Sequence, residues 1–391
     1  MLPKEYNETI ALLANSRQLE YYQSYCRGNG VVQIAKEFDV NHSAVSVSLK
    51  RLEKAASAKD LIPNHTPETG VAPGYKLKGT STLYGDDGQP KLTWVKTKED
   101  MVRVEDKMKE LCEVLIETTP VRSPISNPPA KCLPDYLAMY PLGDPHLGLY
   151  AWAEETGDDF DCNICEALII KAVDRLVDAM PPAKVGRVLN LGDFFHSDTE
   201  DAQTRRNHNP LDTDGRWGRV LKIGVRMFTH CIDRALEKHE EVEVVCEIGN
   251  HDDYTAHCLA LIMEHHYRDN DRVKVDTTYS KYHYREFGSC LFGSTHGMVK
   301  PDALHKIMTS DRPEAWGRTK HRYWHVGHLH HSWVKEIAGV LIEGFRSLKG
   351  KDAYEAEKGY RAGRSMNAIL FHADYGEAER HTVSLEMLRE E

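Results

Sequence analysis

The chain reads as a layered α/β domain preceded by a small all-α unit, and three observations lead there. From about Asp135 onward, short apolar runs alternate with longer amphipathic stretches, the pattern of strands and helices stacked in layers. Clusters of Gly with Asp, Asn and His follow directly on several of those runs, and glycine lets a chain turn sharply at a strand end. The first 60 residues are instead rich in Ala, Leu, Glu, Lys and Gln, with apolar side chains at helical spacing.

At 391 residues the chain is long enough for two or three domains. The expected units are 1–60, a connector over 61–134 and a catalytic-sized domain over 135–391. A formal charge of −10 excludes a polycation, so any affinity for nucleic acid has to come from a local patch or from bound metal. The 21 histidines concentrate in the second half. Nine cysteines include Cys162-x-x-Cys165, but no second pair follows at zinc-ribbon spacing, which points to ordinary reduced core cysteines. There is no signal-peptide h-region and no apolar run of roughly 18 residues, so a soluble protein with no membrane contact is expected, in the cytoplasm.

Within the first unit, Val31–Phe38 has helical apolar spacing and Asp39-Val40-Asn41 breaks it, with Asn41 placed to cap the next helix. That helix, His42 to Ala56, sets Val45, Leu49 and Leu52 on one face. The pair resembles a helix-turn-helix, which would make Ser43, Ser46, Lys50 and Arg51 the DNA contacts. A docking module without DNA contact is the alternative. The segment is only mildly basic, so strong autonomous DNA affinity does not follow. Ser81–Tyr84 and Lys91–Val95 flank a Gly-containing turn and read as a β-hairpin. A helix is expected from about Lys98 to Glu117, with Met101, Val104, Met108, Leu111 and Leu115 in a/d spacing. That pattern suits packing on the same chain, or a homodimer. Five prolines over 120–134 indicate a stiff linker.

In the α/β region, strands are expected at Arg187–Leu191, Val242–Cys246 and Tyr323–Val326, and helices at Ile164–Met180, Arg219–Lys238 and Ala256–Tyr267. Five clusters stand out: Asp144-x-His146, Gly192-Asp193-Phe194-Phe195-His196, Gly249-Asn250-His251-Asp252, His296-Gly297 and Gly327-His328-x-His330. In open α/β sheets, ligands collect beyond the carboxyl ends of strands. Carboxylates, an amide and imidazoles brought together there can hold two divalent cations, and such pairs hydrolyse phosphate esters.

In this order the clusters resemble the calcineurin-like metallophosphoesterase superfamily, over roughly 136–372. The resemblance implies two central β-sheets flanked by helices. It also implies that Asp144, His146 and His330 hold one metal, that Asn250, His296 and His328 hold the other, and that Asp193 bridges them. Oxygen and imidazole ligands without thiolate suit manganese, with iron, zinc or magnesium as alternatives. His251 resembles the family's general acid. Asp252 either orients His251 or caps a strand end.

Protein phosphatases of this kind carry Val-Asp-Arg-Gly after the second Gly-Asp and an Arg before Gly-Asn-His-Glu. Here Phe194-Phe195-His196 and Ile248 occupy those places. Gly192–His196 is similar to the Gly-Asp-Leu-Phe-His of SbcD-type DNA repair nucleases, which makes His196 a second catalytic candidate, a bystander surface histidine being the alternative. The whole chain resembles phage-encoded metallophosphoesterases, so host-cell cytoplasm and a DNA substrate, single- or double-stranded, are expected. Arg205 and Arg206 lie in a polar, basic insertion that either reaches the phosphate track or forms a solvated loop face. A second basic segment holds Lys349, Lys351, Lys358, Arg361 and Arg364, with Tyr354 and Tyr360 as candidate stacking rings.

Overall fold

The computed structural model describes residues 6–57, 75–84, 90–99, 129, 131–198, 202–204 and 209–389. The chain divides into two compact units, Met1–Val104 and Glu105–Glu391. The first holds helices α1 (Glu8–Ala11), α2 (Ser16–Cys26), α3 (Val31–Glu37) and α4 (His42–Ser57), then strands β1 (Tyr75–Tyr84) and β2 (Pro90–Glu99). Asn41 caps α4 as expected, its Oδ1 accepting from Ser43 N at 2.8 Å. Tyr22, Ile34, Val45, Leu49 and Leu52 form the helical core. Ser43, Lys50 and Arg51 are exposed and Ser46 is half-buried.

β1 and β2 pair antiparallel, so the hairpin forms and is longer than its turn signal suggested. β2 takes in Lys98 and Glu99, where a helix was expected to begin. The rest of that helix, the Pro-rich stretch up to 128, and Arg205 and Arg206 lie outside the described residues.

The second unit runs β3 (Leu133–Leu142), α5 (Ala153–Thr156), α6 (Cys162–Ala179), β4 (Ala183–Asn190), α7 (Trp217–Lys238), β5 (Glu241–Cys246), α8 (Thr255–Tyr267) and β6 (Val273–Val275). It continues through β7 (His283–Phe287), β8 (Cys290–Thr295), α9 (Pro301–Asp311), α10 (Pro313–Arg318), β9 (His321–Val326), β10 (Trp333–Ile337) and β11 (Val340–Gly344). α11 (Ala353–Lys358), β12 (Ser365–His372), β13 (Gly376–Ser384) and α12 (Leu385–Arg389) complete it.

Six strands form one sheet in the order β13-β12-β3-β4-β5-β6, and five form another in the order β10-β11-β9-β8-β7. Met139, Val185, Leu189, Phe292, Tyr323 and Phe371 fill the seam between them. α6, α7 and α8 cover the outer face of the larger sheet through Leu176, Phe228, Ile232 and Leu259. α9 and α10 cover the smaller one through Leu304, Met308 and Ala315. This is the expected layered α/β architecture with two sheets flanked by helices. Among the described residues, no helix is long and apolar enough to cross a membrane.

Two parallel sets decide where a site can form. β3, β4 and β5 are parallel neighbours, as are β8 and β9. All five ligand clusters follow these strands at their carboxyl ends, so neighbouring loops open on the same side.

Candidate metal centre

Asp144, His146, Asp193, Asn250, His296, His328 and His330 come together from five loops. His296 Nε2 lies 3.2 Å from Asp193 Oδ2, 3.1 Å from Asn250 Oδ1 and 3.2 Å from His328 Nδ1. The same Asp193 oxygen, Oδ2, lies 3.8 Å from His146 Nε2, which is 3.1 Å from His330 Nε2. His330 Nε2 is 3.7 Å from Asp144 Oδ1. The groups therefore divide into Asp144, His146 and His330, and Asp193, Asn250, His296 and His328, with the Asp193 carboxylate between them.

The tautomers follow from the partners. A carbonyl accepts only from N–H, so Leu191 O at 2.9 Å puts a His296 proton on Nδ1 and makes Nε2 the nitrogen that faces the cluster. Glu355 Oε1, 2.8 Å from His330 Nδ1, does the same for His330. Metal-binding histidines usually have their second nitrogen held in this way. Nitrogen and oxygen ligand atoms that converge in this way call for positive charge among them, which a proton shared by His296 and Asp193 or a bound cation supplies. The donor set thus fits divalent ions bound through oxygen and imidazole.

Burial and charge agree with this. Burial pushes the His146 and His196 rings well below the usual imidazole range, and it takes His328 down to about 4. Neutral rings are the form that binds metal. Burial also disfavours the His296 cation, but the adjacent Asp193 outweighs it and lifts His296 to about 10. For Asp193, burial works against its charge, and His296 more than compensates, holding it below the usual carboxylate range. The proton shared by this pair stands where a cation would sit, so metal binding would release it.

The backbone is bent to make this arrangement. Among the described residues, eight non-glycine positions have positive φ, and five of them are Asp144, His146, Asp193, His328 and His330. Each costs about 1–3 kcal/mol and persists only where surrounding contacts enforce it. Those contacts are visible: His328 N donates to Asp144 Oδ1 at 2.8 Å, and His251 N donates to Asp193 Oδ1 at 2.8 Å. At Gly249 a Cβ would lie 2.0 Å from Asp193 Oδ1, and at Gly327 one would lie 2.7 Å from Asp144 Oδ2. Only glycine lets the loops approach the carboxylates this closely.

His196 and His251 border the cluster. Their rings stack with centroids 5.3 Å apart, and His196 Nδ1 is 3.0 Å from His146 Nδ1. His196 is buried, not a surface histidine. The His196 carbonyl lies 2.9 Å from His251 Nδ1, which makes Nε2 the ring nitrogen available for proton transfer. Asp252 faces elsewhere. Its Oδ1 accepts from Gly249 N at 3.0 Å and Asp193 N at 3.1 Å, and its Oδ2 from Phe194 N at 2.7 Å and Phe195 N at 3.2 Å. Burial and the nearby Asp193 charge push its carboxyl well up, yet four donated N–H groups occupy both oxygens and require the ionised form. Asp252 therefore ties the Asp193 loop to the Asn250 loop, and His251 is oriented by the His196 carbonyl instead.

The basic segment after β11 also differs from expectation. Lys349 is buried, 2.5 Å from Glu355 Oε2. Arg364 donates to the Leu348 carbonyl, and Lys351 pairs with Asp158 at 3.5 Å. Tyr354 and Tyr360 are exposed. Glu355, the partner of His330, was missed in the sequence. Its local signal is the helix-start pattern Asp352-x-x-Glu355, which reads as a capping box and carries no hint of a metal ligand.

No protein-family model and no curated protein matches the chain. Among solved structures, an archaeal phosphodiesterase is similar over 64% of this chain and 99% of its own, at 14% identity and a TM-score of 0.32. A conserved uncharacterized protein of Streptococcus pneumoniae, a predicted phosphoesterase, covers 64% of this chain and 98% of its own at 14% identity and a TM-score of 0.27. Vps29 of Entamoeba histolytica, solved with zinc, covers 63% and 98% at 11% identity and a TM-score of 0.26.

Proposed function

We propose that this chain is a metal-dependent phosphodiesterase of the calcineurin-like kind, acting on DNA. The observation that carries the reading is the convergence of seven ligand-type side chains from five strand ends, in two groups, with Asp193 Oδ2 3.2 Å from His296 in one and 3.8 Å from His146 in the other. Asp144, His146 and His330 would hold one divalent ion and Asn250, His296 and His328 the other, with Asp193 serving both. Bound ions, manganese first among the candidates, would supply Lewis-acid charge for the phosphate oxygens and an activated water.

The remaining roles belong to this chain's own groups. His251, with Nδ1 held by the His196 carbonyl, presents Nε2 to donate a proton to the leaving oxygen. His196 Nε2 is buried and has no hydrogen-bond partner among the described residues, which suits a hydrogen bond to a phosphate oxygen. A dianionic monoester would call for an added fixed cation. Ile248 stands where protein phosphatases carry arginine, and Lys349 is engaged by Glu355 and Asp352. That favours a diester. The exposed Ser43, Lys50 and Arg51 on α4 support a contribution of the N-terminal helices to DNA affinity.

The test is the purified protein with manganese, given end-labelled single- and double-stranded DNA beside cyclic nucleotides, with and without chelator. Chelator-sensitive DNA cleavage that is lost in Asp193→Ala is expected. Turnover of cyclic nucleotides alone would replace DNA by a small-molecule substrate. A folded wild type that takes up no divalent metal would overturn the reading altogether.

A further inference from the structure

Beside the ligand loops lies a cavity of about 150 Å³ lined by Tyr150, Trp152, Glu155, Asp212 and Ala353. We propose that it receives a nucleobase bearing an exocyclic amino group, from the nucleotide next to the phosphate under attack. The proposal rests on the phosphodiesterase reading and adds a base preference to it.

Position is the first argument. Tyr150 lies four residues beyond His146, and Leu149 N donates to the His146 carbonyl at 3.0 Å. Ala353 lies two residues before Glu355, which holds His330 Nδ1 at 2.8 Å. Two separate segments that set ligands of one group thus also form walls of the cavity. The proposal places in this cavity the base of a nucleotide whose phosphate lies at the cluster.

Rigidity is the second. The Trp152 carbonyl accepts from Glu155 N at 3.1 Å and Thr156 N at 2.9 Å, and also from Thr156 Oγ1 at 3.0 Å. Ala151 and Phe160 exchange both backbone hydrogen bonds, and Tyr150 N donates to the Asp212 carbonyl at 3.0 Å. Asp159 Oδ1 accepts from Ala153 N at 2.7 Å. On this fixed backbone, Tyr150 and Trp152 remain 48% and 49% exposed. Large, half-exposed rings on a fixed loop are stacking surfaces that need little further ordering.

Charge is the third, and it decides the ligand class. Glu155 and Asp212 are exposed, and neither carboxylate has a side-chain hydrogen bond or ion pair among the described residues. Carboxylates repel a phosphate, so the cavity does not track the backbone of the strand. They accept N–H, as acidic side chains do from the cytosine amino group. Thymine offers a single N–H, at N3, whereas two carboxylates match the two hydrogens of an exocyclic amino group, so aromatic walls with paired acceptors at the rim favour cytosine, and amino-bearing purines, over thymine.

The experiment measures binding of labelled short deoxycytidylate and thymidylate oligomers by fluorescence anisotropy in chelator, together with manganese-dependent hydrolysis of bis(p-nitrophenyl) phosphate, which has no base. Wild type should bind the cytidylate oligomer about tenfold more tightly, and Glu155→Gln/Asp212→Asn should erase that preference. Trp152→Ala should weaken both oligomers about tenfold and leave bis(p-nitrophenyl) phosphate hydrolysis unchanged. Equal affinity of wild type for the two oligomers, or a Trp152→Ala variant that binds as wild type, would overturn the proposal even if the enzyme hydrolyses the baseless diester. Trp152-dependent binding without hydrolysis of any diester would sustain the pocket and remove the phosphodiesterase reading.

Discussion

Replacing Asp252 by asparagine separates two roles that the same residue can be given. The side chain keeps its shape and loses its charge. One oxygen keeps two donors, while the new amide nitrogen turns its own hydrogens against two backbone N–H groups, either Gly249 and Asp193 or Phe194 and Phe195. Two charge-assisted hydrogen bonds are lost, each worth about 1.5–3 kcal/mol. Relief of the charge that burial and Asp193 disfavour offsets part of this, so a net loss of about 3 kcal/mol is expected. At about 2 °C per kcal/mol for a unit of this size, the melting temperature should fall by about 6 °C or more. Because the broken bonds hold Asp193 itself, divalent-metal affinity should also drop about 10- to 100-fold. Calorimetric melts in chelator and a manganese titration measure both quantities. If Asp252 served instead to orient His251, turnover would fall with melting temperature and metal affinity unchanged. A melting temperature within about 1 °C of wild type would refute the clamp.

Four further outcomes are expected. Asp193→Ala should remove the rise in melting temperature that manganese confers on wild type, because the ion binds the native state only. His251→Ala should lower turnover about 10²- to 10⁴-fold with metal content retained; loss of metal would make it a ligand instead of a proton donor. Gly249→Ala should weaken metal binding without unfolding the helical layers, since its Cβ would lie 2.0 Å from Asp193 Oδ1; wild-type affinity would show that the loops have room. Burial takes His239, beside Tyr140 and Ala183, down to about 4, so only the unfolded chain takes up this proton between that value and about 6.5. Stability from this group is then complete above about pH 6.5 and lost as pH falls toward 4. In urea titrations, the stability lost between pH 7 and pH 5 should be about 2 kcal/mol smaller in His239→Gln than in wild type, the other buried histidines contributing equally to both.

Much of the frame was legible because strands and helices announce themselves locally. The run Arg187–Leu191 lies almost wholly within β4, and Arg219–Lys238 falls within α7. The ligand clusters could be read for the same reason, since each is a few residues that directly follow an apolar run. Where a strand competed with a helix the local signal failed: Lys98 and Glu99 suit a helix start but pair across the hairpin in β2.

By itself, then, the order of residues determined which side chains stand at the ends of β3, β4, β5, β8 and β9, and hence the stock of metal-type ligands. Only the tertiary structure decided what each one faces. Asp252 meets backbone amides 57 to 59 residues away, and Glu355 reaches His330 across 25 residues. Lys349, read as part of a basic track, is buried in an ion pair. The physical reason is that a strand end is set by neighbours in the chain, whereas a hydrogen-bond partner is set by which loops the parallel strands of two packed sheets bring together.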